Sequence, residues 1–81
     1  MTYTHPHMKV ARMEAAVEVL GSQIAELSAA IDAERRKPTP DQAAIDAMNA
    51  QRVALGDEQD DLCSDDVEAV ARILGNRQGV A

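Results

Sequence analysis

The densest run of groups able to do chemistry is Asp57-Glu58-Gln59-Asp60-Asp61-Leu62-Cys63-Ser64-Asp65-Asp66-Val67-Glu68. Counted from Asp57, carboxylates stand at positions 1, 5, 9 and 12, an oxygen-rich spacing close to that of a calcium-binding loop. The match fails at the sixth position. Such a loop needs glycine there for its sharp turn, and this chain has Leu62. His5 and His7 put two imidazoles side by side near the start of the chain, without the third and fourth ligands of a stable metal site. Cys63 is the one cysteine, so no internal disulfide is possible. It reads as a small buried or half-buried residue, because no base is spaced to activate it as a nucleophile. There is no glycine-rich phosphate loop and no Ser-His-Asp or Cys-His arrangement. The residues therefore point to no catalytic group, no cofactor and no metal, and the expectation is a protein that is not an enzyme.

Charge narrows the partners. Of 81 residues, 14 are acidic and 8 are Lys or Arg, for a net charge of −6. The first forty residues balance, with Glu14, Glu18, Glu26, Asp32 and Glu34 against Lys9, Arg12, Arg35, Arg36 and Lys37. The excess lies in the second half, chiefly between Asp57 and Glu68, where no base interrupts the acids. That layout argues against nucleic acid or an anionic membrane as the direct ligand. It favours a protein with a basic surface, and Asp57, Glu58, Asp60 and Asp61 are the residues expected to face it. They crowd the end of a helix, where the helix dipole disfavours negative charge, so folding alone does not account for them. No apolar run is long enough to span a membrane, no secretory leader is evident, and the lone thiol fits a reducing compartment. A cytoplasmic location is the expectation.

The elements that carry these groups are legible from periodicity. Val10, Met13, Val17, Leu20, Ile24, Leu27 and Ile31 alternate in steps of three and four, with β-branched residues at every first heptad position. This is the pattern of a helix face that packs against another helix. The first helix is expected from Met8 to Lys37, after a flexible lead-in over residues 1–7 in which Thr4 is placed to cap it. Pro38 ends it. Thr39, Pro40, Asp41 and Gln42 then read as a capping box, with Thr39 as N-cap and proline at the first helical position. The loop should be two or three residues long and the next helix should fold back antiparallel.

Folding at that junction sets Ile45, Met48, Leu55 and Leu62 against Ile31, Leu27, Leu20 and Met13, and places Gly21 opposite Gly56. Arg52 and Gln59 fall opposite Ile24 and Val17, two polar residues against the seam. A third helix is expected from a Ser64 cap to Leu74, stopped by Gly75-Asn76, with a frayed tail over residues 75–81.

Both long helices carry surplus apolar positions. Helix two has Ala43, Ala47, Ala50 and Ala54, and helix one has Ala16, Val19, Ala30 and Ala33. Val67, Val70, Ala71, Ile73 and Leu74 of helix three can cover part of them. The remainder argues for a second copy. The expected fold is all-α: a coiled-coil-like antiparallel helical hairpin with a short third helix, dimerising into a helical bundle. Fifteen of the apolar residues are alanines and there is no Phe or Trp, so a chain this small gains from such a partner.

The function this implies is a small helical interaction module. It self-associates and acts as adaptor, regulator or stoichiometric inhibitor of another protein. An anti-defence inhibitor of phage or mobile-element origin, anti-CRISPR-like in using an acidic face to imitate nucleic acid, is the alternative. An antitoxin-like or RNA-binding regulator is a second alternative. The architecture is similar to the dimeric RNA-binding hairpins of plasmid copy control, but no residue motif carries that likeness.

Overall fold

The structure, a computed structural model, describes residues 6–77. It contains three helices: α1 (Pro6–Arg35), α2 (Gln42–Asp61) and α3 (Val67–Arg77). The molecule is elongated, 57 × 27 × 15 Å along its principal axes, with the length set by α1. Helix α2 folds back along α1, and α3 packs on the first half of α1. The all-helical architecture and the hairpin agree with the sequence reading.

Several boundaries differ from it. Pro6 lies within α1, at its first position, where a missing N–H costs nothing. The expected lead-in thus overlaps the helix at residues 6 and 7, and the Thr4 cap lies outside the described residues. Helix α1 ends at Arg35 rather than Lys37, because Pro38 disfavours helical geometry in the residue before it. The connection accordingly runs over residues 36–41, longer than expected.

The N-cap of α2 is Asp41 and not Thr39. Asp41 has extended geometry (φ −90°, ψ 101°), and its Oδ1 accepts the Ala44 backbone N–H at 3.1 Å. Gln42 becomes the first helical residue and bonds forward to Asp46 Oδ1 at 2.9 Å, so the reciprocal box does not form. Glu34 explains the shift. Its Oε2 accepts the Asp41 backbone N–H at 3.0 Å and its Oε1 accepts Lys37 Nζ at 2.9 Å, a clasp from the end of α1 across the loop.

Helix α3 also begins later than expected. Asp66 N–H donates to Cys63 C=O at 3.0 Å in a tight turn, and Val70 N–H donates to Asp66 C=O at 2.9 Å, which makes Asp66 the capping position in place of Ser64. Gly75-Asn76 does not stop α3, which continues to Arg77. Glycine permits a left-handed stop without compelling one.

Among the described residues, seven apolar ones are buried: Ala16, Val19, Leu20, Ile31, Ile45, Val70 and Ile73. Ala16, Val19, Leu20, Val70 and Ile73 form one cluster where α3 meets the hairpin, flanked by half-buried Met13, Leu55, Leu62 and Leu74. Ile31 and Ile45 are buried towards the loop end of the hairpin. The two polar residues set against the seam both find partners on α1. Arg52 donates to Ser28 Oγ at 3.1 Å, and Gln59 Nε2 donates to Val17 C=O at 3.0 Å.

Gly21 and Gly56 do not oppose one another. A Cβ at Gly21 would lie 3.5 Å from Gln59 Nε2, whereas one at Gly56 would meet nothing within 4 Å. A Cβ at Gly21 would thus be in ordinary contact with Gln59, the side chain that reaches the α1 backbone. Gly56→Ala is expected to stabilise the protein by up to about 1 kcal/mol through helix propensity. Gly21→Leu should displace Gln59 and cost about 1–3 kcal/mol. Urea unfolding followed by circular dichroism reads both signs.

The clasp makes a second prediction. Its hydrogen bonds, first from Lys37 and then from the Asp41 backbone, lower the pKa of Glu34 from its ordinary value. The Glu34 carboxylate raises that of Lys37. The Glu34 contribution to stability is therefore present above the ordinary carboxylate range and is lost as pH falls through its lowered folded value. The Lys37 contribution is present at neutral pH and is lost only as pH rises through its raised value. Glu34→Gln should flatten the acid limb of unfolding free energy against pH, and an unchanged acid limb would contradict the clasp.

Candidate partner-binding surface

Helical spacing sets Asp57, Asp60 and Asp61 at i, i+3 and i+4 in the last turns of α2, and all three are exposed. They share one outward arc. Glu58 is turned away from them towards α3, where its Oε2 accepts Arg72 Nη2 at 3.1 Å. The structure therefore separates the four acidic residues into an exposed trio and one ion-paired carboxylate. No base occupies the last turn of α2. The trio stands at the negative end of the helix dipole with the charge sign that end disfavours.

The rest of the acidic stretch is distributed differently. Residues 57–61 are helical, residues 62–66 make the connection, and Val67 and Glu68 open α3. A calcium loop cannot span two helices in this way. Among the described residues, no group of three or more His, Cys, Asp or Glu side chains is placed to hold a metal ion. Asp65 Oδ1 lies 3.9 Å from Lys9 Nζ, tying the connection loosely to the start of α1. Cys63 is exposed, not buried as its composition class implied, because the connection carries it outside the core.

The heptad seam is used unevenly. Leu20, Ile31 and Ile45 are buried, while Met13, Val17, Ile24, Leu27, Met48, Leu55 and Leu62 are half-buried. Val10 is 45% exposed, since α2 ends before it can cover that position. The surplus positions divide as well. Helix α3 covers Ala16 and Val19, whereas Ala30, Ala33, Ala43, Ala47, Ala50 and Ala54 all remain exposed.

These uncovered alanines border a feature that the sequence did not single out. An open groove of about 600 Å³ lies between α1 and α2. Leu27 and Ala30 of α1 and Ala54 and Leu55 of α2 give it an apolar lining. Gln23 and Glu26 on one side and Gln51 and Glu58 on the other supply its polar groups. Its charged lining residues are both acidic. The signal that pointed to it was the alanine surplus, since small side chains at Ala30 and Ala54 leave the space unfilled. No family model, curated protein or solved structure matches this chain. Among the described residues, no helix is long and apolar enough to cross a membrane.

The placement of the acidic trio makes a direct prediction. Asp57→Asn, Asp60→Asn and Asp61→Asn together should leave helicity intact and raise stability, by about 0.3–1 kcal/mol for each charge removed from the dipole's negative end. Thermal unfolding at low ionic strength measures it. A triple variant less stable than the parent would mean that the trio serves the fold.

Proposed function

We propose that this chain is a small non-enzymatic helical interaction module that self-associates and acts on another protein as an adaptor, regulator or stoichiometric inhibitor. The observation that carries the reading is uncovered small apolar surface: Ala30, Ala33, Ala43, Ala47, Ala50 and Ala54 are all exposed along the hairpin.

Its location supports the reading further. The front of the hairpin, from Leu27 and Ala30 across to Ala47, Ala50 and Ala54, is small and apolar, and none of the described elements covers it. Small residues let two backbones approach closely, which suits a helix-on-helix contact. The exposed trio Asp57, Asp60 and Asp61 adds a negative patch that would steer a basic protein towards the molecule.

Light scattering coupled to size exclusion tests the self-association. The expected mass is twice that of the 8.7 kDa chain. A fully helical monomer at high micromolar concentration would overturn that part of the reading.

A further inference from the structure

We propose that α3 is exchanged between two copies of this chain, each copy's α3 docking on α1 of the other. The proposal rests on the self-association reading and names the contact that would hold the two copies. Helix α3 packs on α1. Val70 and Ile73 enter the cluster of Ala16, Val19 and Leu20, and Arg72 Nη2 donates to Glu58 Oε2 of α2 at 3.1 Å. Among the described residues, that is the one side-chain hydrogen bond between α3 and the hairpin. The ion pair from the preceding connection to α1, Asp65 to Lys9, spans 3.9 Å, and the Asp65 side chain is 81% exposed. Two buried side chains and one surface ion pair thus hold an eleven-residue helix that has little stability alone. Such a unit opens locally while the rest of the fold stays closed.

The connection over residues 62–66 is suited to a hinge. Its backbone bonds, Asp66 N–H to Cys63 C=O, Val67 N–H to Asp65 C=O and Val70 N–H to Asp66 C=O, stay within the connection and α3. None of them ties the segment to the hairpin. Asp60 and Asp61 stand before the connection and Asp65 and Asp66 within it, all four exposed. The turn from Cys63 to Asp66 folds these like charges back on one another, so repulsion works against the closed chain. Extended, five residues span up to about 17 Å. Packed helix axes lie about 8–10 Å apart, so the hinge is long enough to carry α3 to a neighbouring hairpin.

The occupant is fixed by the seat. Opening uncovers Ala16, Val19 and Leu20 and leaves Glu58 without its base. Val70, Ile73 and Arg72 of a second copy meet both needs at once. Exchange remakes in each seat the contacts of the closed chain and relaxes the turn between the acids. That is a low-cost route to a dimer, in which each copy completes the other's core.

The test uses two full chains, neither able to dock α3 on its own kind. Ala16→Arg blocks the seat and keeps α3. Ile73→Asp spoils α3 and keeps the seat. Mixed, the α3 of the first docks on the seat of the second, and only by exchange. With a tag on the Ile73→Asp chain, capture of the Ala16→Arg chain should exceed capture of an untagged Ile73→Asp chain about tenfold or more. The mixture is kept reduced, because Cys63 is exposed. A charge-reversed pair, Arg72→Glu with Glu58→Arg, repeats the test and spares the core. Each of these chains alone sets like charges together, whereas the mixture pairs opposite charges at both seats. Capture between them should exceed capture of either by itself about threefold or more.

Preferential capture in the complementary mixtures supports exchange. Equal capture in complementary and matched mixtures refutes it and leaves self-association through another surface standing. No capture in any mixture refutes exchange, and a parent chain that also fails to capture itself refutes the self-association reading with it. If circular dichroism shows that a core variant has lost the hairpin, the charge-reversed pair decides.

Discussion

Burial of Ala16 and Leu20 at the junction of three helices is the contact on which this structure depends. Ala16 is fully buried and Leu20 nearly so, and Val70 and Ile73 of α3 close the cluster around them. An eleven-residue helix has little stability of its own in water, so α3 exists because this junction gives its apolar pair somewhere to go. The junction in turn needs alanine at position 16, because a larger side chain would hold α3 away from α1. Elsewhere the hairpin is thin, and most of its seam is only half-buried.

Polar contacts across the hairpin supply much of its register. Gln59 bonds to the Val17 carbonyl beside Gly21, and Arg52 bonds to Ser28 two turns closer to the loop. Each would be an anomaly in a purely apolar seam. Together they specify how far α2 has slid along α1, information that the many alanines cannot encode. Among the described residues, no side-chain polar atom is left buried without a partner, so this specificity is obtained without an unsatisfied group. The Glu34 clasp performs a related task at the loop, joining the end of α1 to the cap of α2.

The uneven covering of α1 links the fold to its proposed use. The helix offers an apolar stripe along thirty residues, but α3 reaches only the first part. The stripe continues as the acidic-walled groove, and the alanine face of α2 lies next to it. A protein selected only to fold would shorten α1 or lengthen α3. Retaining an uncovered stripe beside a basic-seeking patch suits a chain that completes its packing with a partner.

The sequence by itself determined the helices, their antiparallel pairing, the outward arc of Asp57, Asp60 and Asp61, and the surplus of apolar surface. Each of these follows from local periodicity or from proline, which act within a few residues. Only the tertiary structure decided which stretch of the seam is buried, because that depends on where α3 returns along α1. The same distance effect explains why Val10 is exposed and Ala16 is not. Caps were decided non-locally too. Thr39 and Ser64 had suitable side chains, yet Glu34 secured Asp41 from across the loop, and the turn from Cys63 to Asp66 delayed α3. Gly21 and Gly56 were equivalent as letters in a register, but a side chain forty-two positions from Val17 in sequence gave Gly21 a neighbour that Gly56 lacks. The groove was visible in the sequence only as excess alanine, since the space between two helices is a property of how they pack and not of local spacing.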